Sequence, residues 1–389
     1  NPYGQALAHA SHLIRHPYGC VEQTSSSLRP LIASRGLYKL VDPNQAKDAN
    51  IDEMIAHGIK RLASMQTNEG GMGYWPGAYR AHPWGTAYAT HVLLDAQAAQ
   101  HNVPSHVLDN ALNYLQSYLN NDDPYYRNAR AYAHYLLART GRGNSAAIRA
   151  ELGKKYHPED RFLLQAALYH SGDRTYDQVL KGLSGVTEVS NINQHYYFGS
   201  QLRSKGLMLS IHQSLFGHSE PAGEALASVI ANQLSKKSRY YNTQELAWSV
   251  FALAKRTEGL GQGVGKSQLL VSGQNRALTI DNGENGRSWG VWNASEHTLE
   301  LQLPNLDGKA YAFVTTEGAR LDATYEYGGS GLRVFREFIN HEGKPVDLNS
   351  QKLGDLVYVR TTIKNTSGRN LTELALVDRL PASWEIENA

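Results

Sequence analysis

The chain has 389 residues, 41% hydrophobic and 19% charged, which is enough for two or three globular domains. A formal net charge of +2 gives no argument for binding nucleic acid or an anionic membrane surface. One cysteine excludes an internal disulfide framework and makes Cys20 the place where a special thiol would stand. The ordinary alternative is a buried, inert Cys20 that packs as a small hydrophobic side chain.

Residues 1 to about 260 carry the apolar spacing of helices, for example at Ala111, Leu112 and Leu115. Breaks rich in Gly, Asn and Asp, such as Asn68–Gly71 and Ser171–Asp173, interrupt the pattern roughly every 20–30 residues. A single helical hairpin cannot bury its own apolar face. Serial hairpins therefore predict a ring or a solenoid.

The sequence changes character after a glycine-rich segment at residues 259–265, a plausible linker. Short alternating runs follow and predict strands separated by turns. The runs are Ala277–Ile280, Trp289–Trp292, Leu299–Leu303, Tyr311–Val314, Leu332–Ile339, Leu356–Ile363 and Leu371–Val377. The last all-β unit has too few strands for a full sandwich. The fold class predicted is a multi-domain α plus β protein.

The run Gly19-Cys20-Val21-Glu22-Gln23 carries a candidate chemistry. The Cys20 thiol and the Gln23 amide can close a thioester ring of about fifteen atoms, counted along standard bonds. Closure expels ammonia and leaves an acyl group far more electrophilic than an amide. Gly19 allows a close backbone approach or a positive φ, and Pro17 stiffens the entry to the run.

The neighbouring residues predict support for a departing thiolate and a dry site. Thr24–Ser26 can cap the following helix, whose N-terminal amides would favour a Cys20 thiolate. Water hydrolyses a thioester, so the site needs a shield, for which Tyr18, Tyr74 and Trp75 are candidates. The alternative for these aromatic side chains is ordinary core packing.

The stretch from His16 to Thr24 resembles the thioester signature of the α2-macroglobulin and complement family, especially its bacterial members. Asn68–Trp75, followed by Trp84–Tyr88, resembles the first inter-helix segment of the family's thioester domain. Asn242–Ala247 resembles the last hairpin of that domain. The resemblance covers nearly the whole chain and implies that it is a piece of a longer parent protein.

The resemblance implies an α/α toroid of helical hairpins, with the thioester, at residues 1–262. It implies the C-terminal part of a CUB-like β domain at 263–325 and the truncated start of a macroglobulin-type β-sandwich at 326–389. Cys20 and Gln23 would form the thioester pair. The supporting residues would be Gly19, Glu22 and Pro17, and the shield would come from His16, Tyr18, Tyr74 and Trp75.

By the same resemblance, the parent is a broad-spectrum protease inhibitor of use in host defence or colonisation. A protease cleaves a bait segment, the body rearranges, and a lysine amine of the attacker reacts at the Gln23 acyl carbon. This is a single-use trap rather than an enzyme, and it needs no cofactor beyond the internal cross-link. The partners are target proteases and the other domains of the parent chain. The absence of disulfides suits a periplasmic bacterial protein, with a lipoprotein anchor in the inner membrane as one arrangement.

The sequence leaves the roles of the histidines open. His16 departs from the bacterial relatives, which often carry a shielding Tyr at that position. His134 and His195 lie near tyrosine-rich segments and are further candidates for the site, although ordinary structural histidines are the commoner case. The sequence does not place an acyl-transfer histidine, so a preference for amines or for hydroxyls is not decided.

Two other functions compete with the protease trap. The first is a catalytic α/α toroid such as a terpene cyclase, because fold does not decide function. That function needs spaced acidic residues for a diphosphate and Mg²⁺, and the pair Asp122-Asp123 lacks such spacing. The second is an interaction module without a thioester, in which Cys20 stays a free thiol. No His or Cys spacing predicts a metal site.

Overall fold

The computed structural model describes residues 3, 6, 9–13, 19–33, 50–121, 123–154, 156–184, 186, 199–235, 241–258, 267–272, 276–280, 298–302, 328–329, 331–371 and 374–387. Several predictions from the sequence fall outside these residues. They concern His16, Pro17, Tyr18, His195, Trp289–Trp292 and Tyr311–Val314.

The described residues up to 258 are mostly helical. The helices are α1 (Ala10–Leu13), α2 (Val21–Ala33), α3 (Ile51–Ala63), α4 (Pro83–Ala98), α5 (Ser105–Ser117), α6 (Pro124–Arg127), α7 (Arg130–Arg139), α8 (Ser145–Leu152), α9 (Pro158–His170), α10 (Asp177–Lys181), α11 (Gln201–Phe216), α12 (Pro221–Leu234) and α13 (Thr243–Glu258).

Six of these helices form an inner ring. Helices α2, α4, α7, α9, α11 and α13 each pack against the next, and α13 returns to α2. Helix α4 is buried along nearly its whole length, and so is α7 from Arg130 to Ala138. Helices that are buried along their length form the core of this unit rather than its surface.

The outer helices are amphipathic and cover the ring. Helix α3 buries Ile55, Gly58, Ile59 and Leu62, a helical stripe that packs on α2. Helix α5 packs in the same way on α4 and α7, and α12 packs on α11 and α13. The helical part is therefore an α/α toroid of hairpins, as the family resemblance implied.

The centre of the toroid holds a buried cation among aromatic rings. The Arg29 guanidinium lies 3.5 Å from the Trp248 ring centroid and 4.9 Å from that of Tyr88. Its Nη1 donates to Asp95 Oδ2 at 3.0 Å. Desolvated cation–π contacts are worth about 2 kcal/mol, so these contacts help to join α2, α4 and α13 at the axis.

The described strands form two small antiparallel sheets. They are β1 (Ser267–Ser272), β2 (Arg276–Ile280) and β3 (Thr298–Gln302), in the order β2-β1-β3, and β4 (Leu332–Ile339) paired with β5 (Tyr358–Asn365). The β4–β5 register runs from Leu332 opposite Asn365 to Ile339 opposite Tyr358. Neither a complete CUB-like domain nor a complete sandwich is present among the described residues.

One predicted strand is wrong. The described residues of the run Leu371–Val377 form no strand, although its apolar alternation suggested one. Leu374, Leu376 and Val377 are all exposed. An alternating segment becomes a strand only when a neighbour supplies the other half of the hydrogen-bond ladder, and none of the described residues pairs with this run.

The chain divides into two compact units, residues 1–316 and 317–389. The toroid lies in the first unit and the β4–β5 hairpin in the second. The division into 1–262, 263–325 and 326–389 stays a prediction. Among the helices that the structure describes, none combines the length and the apolar character needed to cross a membrane.

Candidate functional site

The N-terminus of α2 carries the Cys-Gln pair. Cys20 stands immediately before the helix and Gln23 lies in its first turn. The Cys20 carbonyl accepts the first helical hydrogen bond, from the Thr24 N–H at 2.9 Å. Cys20 is buried, with 4% of its surface exposed. A thiolate at this position would face the positive end of the helix dipole.

The predicted capping role of Thr24–Ser26 is wrong, because α2 already begins at Val21. These hydroxyls lie inside the helix and have other partners. The Thr24 Oγ1 donates to the Gly19 carbonyl at 3.1 Å, and the Ser26 Oγ donates to Glu22. Serine and threonine within a helix commonly bond back to the preceding turn.

The side chains of Cys20 and Gln23 fold toward each other. The Cys20 N–H donates to Gln23 Oε1 at 3.1 Å. The Gln23 N–H lies 3.5 Å from Cys20 Sγ, a weak bond to sulfur. The amide carbonyl of Gln23 is thus held over the residue that carries the thiol, and a backbone N–H polarises it.

Gly19 makes this folded-back arrangement possible. A Cβ at position 19 would lie 2.4 Å from Gln23 Cβ and 3.0 Å from Gln23 Oε1. Any side chain larger than hydrogen would therefore push the glutamine away. The Gly19 carbonyl also accepts from Arg61 Nη2 at 3.4 Å, which ties the segment to α3.

Glu22 joins the first and last inner helices beneath the pair. Its buried Oε1 accepts 2.7 Å hydrogen bonds from Ser26 Oγ, Thr243 Oγ1 and Gln244 Nε2. Gln244 Nε2 also donates to Ser26 Oγ at 3.0 Å. Thr243 and Gln244 begin α13, so this carboxylate helps to close the ring next to the site. Local sequence could not pair residues more than 200 positions apart.

Tyr74 lies beside the Cys-Gln run, in the segment between α3 and α4. Its carbonyl accepts from the Val21 N–H at 3.0 Å. Burial raises the pKa of the Tyr74 hydroxyl, and the adjoining Cys20 thiol, to which it is hydrogen-bonded, raises it further. The Trp75 ring meets the Tyr74 ring edge-on at 6.4 Å and is 51% exposed, and shielding of the thiol by either side chain stays a prediction.

His82 is an imidazole near the site that the sequence did not single out. It caps α4, with Nδ1 accepting from the Gly85 N–H at 3.0 Å. Its ring lies 5.3 Å from the Tyr74 ring, and burial lowers the pKa of His82. The signal that could have identified it is the pair His82-Pro83 before an apolar helix, a common helix start.

His134 belongs to another part of the toroid. Burial lowers the pKa of His134 to about 4, and the charged groups that act on it are Glu151, Arg130 and Lys154. None of them belongs to the Cys20–Gln23 run. Within the described part of the chain, no group of three or more His, Cys, Asp or Glu could hold a metal ion.

Comparison with known proteins gives the class of the helical unit. Residues 3–148 match the family model described as the A-macroglobulin TED domain. The Cys-Gln run and the first part of the toroid therefore match a macroglobulin-type domain. The match covers the site, α2 to α7, and the beginning of α8.

Two curated relatives extend the similarity over nearly the whole chain. The α2-macroglobulin of Xylella fastidiosa strain Temecula1 is 27% identical over 420 residues, covering 97% of this chain and 24% of the relative. The α2-macroglobulin of Escherichia coli K12 is 27% identical over 395 residues, covering 96% and 23%. The chain thus spans about a quarter of the length of these relatives.

Solved structures show the same fold. Salmonella α2-macroglobulin reacted with methylamine matches with a TM-score of 0.66 at 21% identity, covering 94% of this chain and 24% of that one. Native E. coli α2-macroglobulin matches with a TM-score of 0.64 at 23% identity, covering 93% and 23%. Residues 3–148 thus match the TED domain of this family, and nearly the whole chain is similar to bacterial α2-macroglobulins, which confirms the resemblance seen in the sequence.

Proposed function

We propose that this chain is the thioester-bearing part of a protease inhibitor that captures attacking proteases covalently through Cys20 and Gln23. The observation that carries this proposal is the mutual approach of the two residues. The Cys20 N–H holds Gln23 Oε1 at 3.1 Å, and Gly19 leaves the space that this approach needs.

The bond would form by attack of the Cys20 thiol on the side-chain carbonyl carbon of Gln23. A C–S bond forms, the C–N bond breaks, and the nitrogen leaves as ammonia after taking up the thiol proton. The Cys20 N–H would stabilise the developing oxyanion on Oε1, as backbone amides do in acyl transfer. Holding both groups in one ring supplies the proximity that a bimolecular reaction lacks.

Opening of the thioester would reverse the roles of sulfur and nitrogen, with an amine as the nucleophile and the Cys20 sulfur as the leaving group. A lysine amine of the protease attacks the Gln23 acyl carbon, an amide forms, the C–S bond breaks, and Cys20 leaves as a thiolate that takes up the proton released by the amine. The N-terminus of α2 favours that charge, and the Tyr74 hydroxyl, hydrogen-bonded to Cys20, would donate its hydrogen bond to the thiolate. Each bond can be used once, so the chain would act as a trap and not as a turnover enzyme.

The structures of relatives support this chemistry by analogy. One is of Salmonella α2-macroglobulin reacted with methylamine, and another is of E. coli α2-macroglobulin activated by porcine elastase. Because this chain spans about a quarter of its relatives, we assign bait cleavage and the rearrangement to the parent protein. A periplasmic parent, with a lipoprotein anchor in the inner membrane, belongs to the same proposal.

The test is amine uptake by the 389-residue chain. Methylamine should label Gln23 and release one thiol at Cys20 in equal amounts, measured by peptide mass spectrometry and a thiol reagent. Cys20→Ala is the control and should take up no amine. A wild-type chain that shows a titratable thiol before methylamine is added, and takes up no amine, would be the interaction module without a thioester. Mg²⁺-dependent consumption of an isoprenoid diphosphate would favour the cyclase instead.

A further inference from the structure

A second site lies inside the toroid, at the end opposite Cys20. A cavity of about 270 Å³ opens between the C-terminal halves of the inner helices. Ile32 of α2 lines it, twelve residues along the helix from Cys20, which places it roughly 18 Å away at 1.5 Å per residue. The proposed thioester chemistry does not use this cavity.

The cavity contains a buried side-chain amide without partners. Gln213 on α11 lines the cavity and is 5% exposed. Among the described residues, neither its Oε1 nor its Nε2 has a hydrogen-bond partner. An unpaired buried polar group costs about 1–3 kcal/mol, and this amide has both a donor and an acceptor to satisfy.

Among the side chains that line this space, the cations Arg139 and Lys255 outnumber the single anion Asp95. Asp95 accepts from Arg29 at 3.0 Å and from Arg139 at 2.8 Å, so two guanidinium groups share one carboxylate. Burial lowers the pKa of His91, which leaves that imidazole neutral beside them. Arg139 lines the cavity and its side chain is 23% exposed, so it can meet a ligand that enters from solvent.

Part of this positive charge is offset by the helix ends. Arg139 is the last residue of α7, where carbonyl groups favour cations. A negative charge alone is therefore not enough for a ligand to bind here. The ligand must also form hydrogen bonds with the unpaired side-chain amide of Gln213. Ile32 and Phe251 also line the cavity and give it apolar surface that suits a hydrocarbon body.

We propose that this cavity binds a small organic acid that carries a carboxylate, a hydrogen-bond donor beside it and a short apolar body, as an α-hydroxy acid does. The carboxylate faces Arg139 and accepts from Gln213 Nε2, while the ligand's hydroxyl donates to Gln213 Oε1. At about 30 Å³ per water, the cavity holds about nine waters or a molecule of roughly ten non-hydrogen atoms. That is the size of a free amino acid or its hydroxy analogue.

The test is calorimetric titration of the 389-residue chain with matched probes. 2-Hydroxyisocaproate has all three features, isocaproate lacks the donor, and isoamyl alcohol lacks the carboxylate. The first should bind about tenfold more tightly than either of the others, the worth of one satisfied buried hydrogen bond. Leucine carries an ammonium where 2-hydroxyisocaproate carries a hydroxyl. Comparing the affinities of the two ligands therefore shows which of these donors Gln213 Oε1 accepts better.

Two variants assign the contacts. Gln213→Leu should reduce 2-hydroxyisocaproate binding to the level of isocaproate without lowering the thermal midpoint of the unliganded chain, because it removes an unpaired amide. Arg139→Met should weaken all carboxylates, whereas Arg142→Met, at the exposed pair with Asp109, is the matched control and should change nothing. Absence of binding by every probe, or an unchanged preference in Gln213→Leu, would overturn the proposal. Cys20→Ala should bind as wild type, so failure of the thioester would not affect this test.

Discussion

Replacing Gly19 with alanine should disable the thioester while leaving the toroid folded. The added Cβ would stand 2.4 Å from Gln23 Cβ, whereas carbon atoms in contact lie about 3.5–4.0 Å apart. The two residues must therefore separate by more than about 1 Å. That movement takes Gln23 Oε1 away from the Cys20 N–H, which now holds it at 3.1 Å.

The size of the effect follows from that displacement. A misplacement of about 1 Å can reduce the rate of a positioned reaction by roughly 100-fold. Overpacking in a buried site destabilises the fold by about 1–3 kcal/mol, which a domain of this size can tolerate. Gly19→Ala should therefore unfold at a lower urea concentration and form the thioester about 100-fold more slowly than wild type.

The assay follows thioester formation after refolding, as the fraction of chains that have lost ammonia by mass spectrometry. Gly153→Ala is the matched control, because a Cβ there meets nothing closer than 3.4 Å and φ is an ordinary −68°. It should form the bond at the wild-type rate. If Gly19→Ala is folded by circular dichroism and forms the bond as fast as Gly153→Ala, the proposed need for close approach at position 19 is refuted.

Three further changes test the surroundings of the site and the stability of the toroid. Glu22→Gln should lower the free energy of unfolding in urea by about 2 kcal/mol, because three donors lose a charged acceptor, whereas Glu337→Gln at an exposed pair should have a far smaller effect. Equal effects would contradict a special role for Glu22. Tyr74→Phe should slow thiol release by methylamine about tenfold, through loss of the hydrogen bond to Cys20, and an unchanged rate would remove the hydroxyl from the mechanism. Burial, with a neighbouring carboxylate, raises the pKa of Asp160 from 3.8 to about 7, so the folded state holds a proton that the unfolded state releases. Stability should fall as pH rises from about 4 to 7, and Asp160→Asn should flatten that slope in urea midpoints measured at pH 5 and pH 8; an unchanged slope would contradict the assignment.

The sequence predicted elements that depend on local pattern. The run Leu332–Ile339 coincides with β4, and Ala277–Ile280 lies within β2, because strand alternation can be read from a few neighbours. The sequence pattern did not predict β1, Ser267–Ser272, which follows the glycine-rich segment. The strand predicted at Leu371–Val377 does not form, because the described residues of this run pair with no other described residues.

The sequence identified site residues where those residues lie close together in the chain. Cys20 and Gln23 could be identified together because they lie within one helical turn. The carboxylate of Glu22 meets Thr243 and Gln244 only after the ring closes, and no periodicity shows that contact. The start of α2 was misjudged because helix ends shift by a few residues when tertiary contacts stabilise an earlier turn.

The mass of the intact 389-residue chain is the most direct measurement of the central claim. With the Cys20–Gln23 thioester formed, the chain should be about 17 Da lighter than its sequence, the mass of the lost ammonia, and should regain mass on methylamine addition. Cys20→Ala should have its full sequence mass. A wild-type chain of full sequence mass, with Cys20 reactive toward a thiol reagent in the folded state, would contradict the assignment of a thioester to this chain.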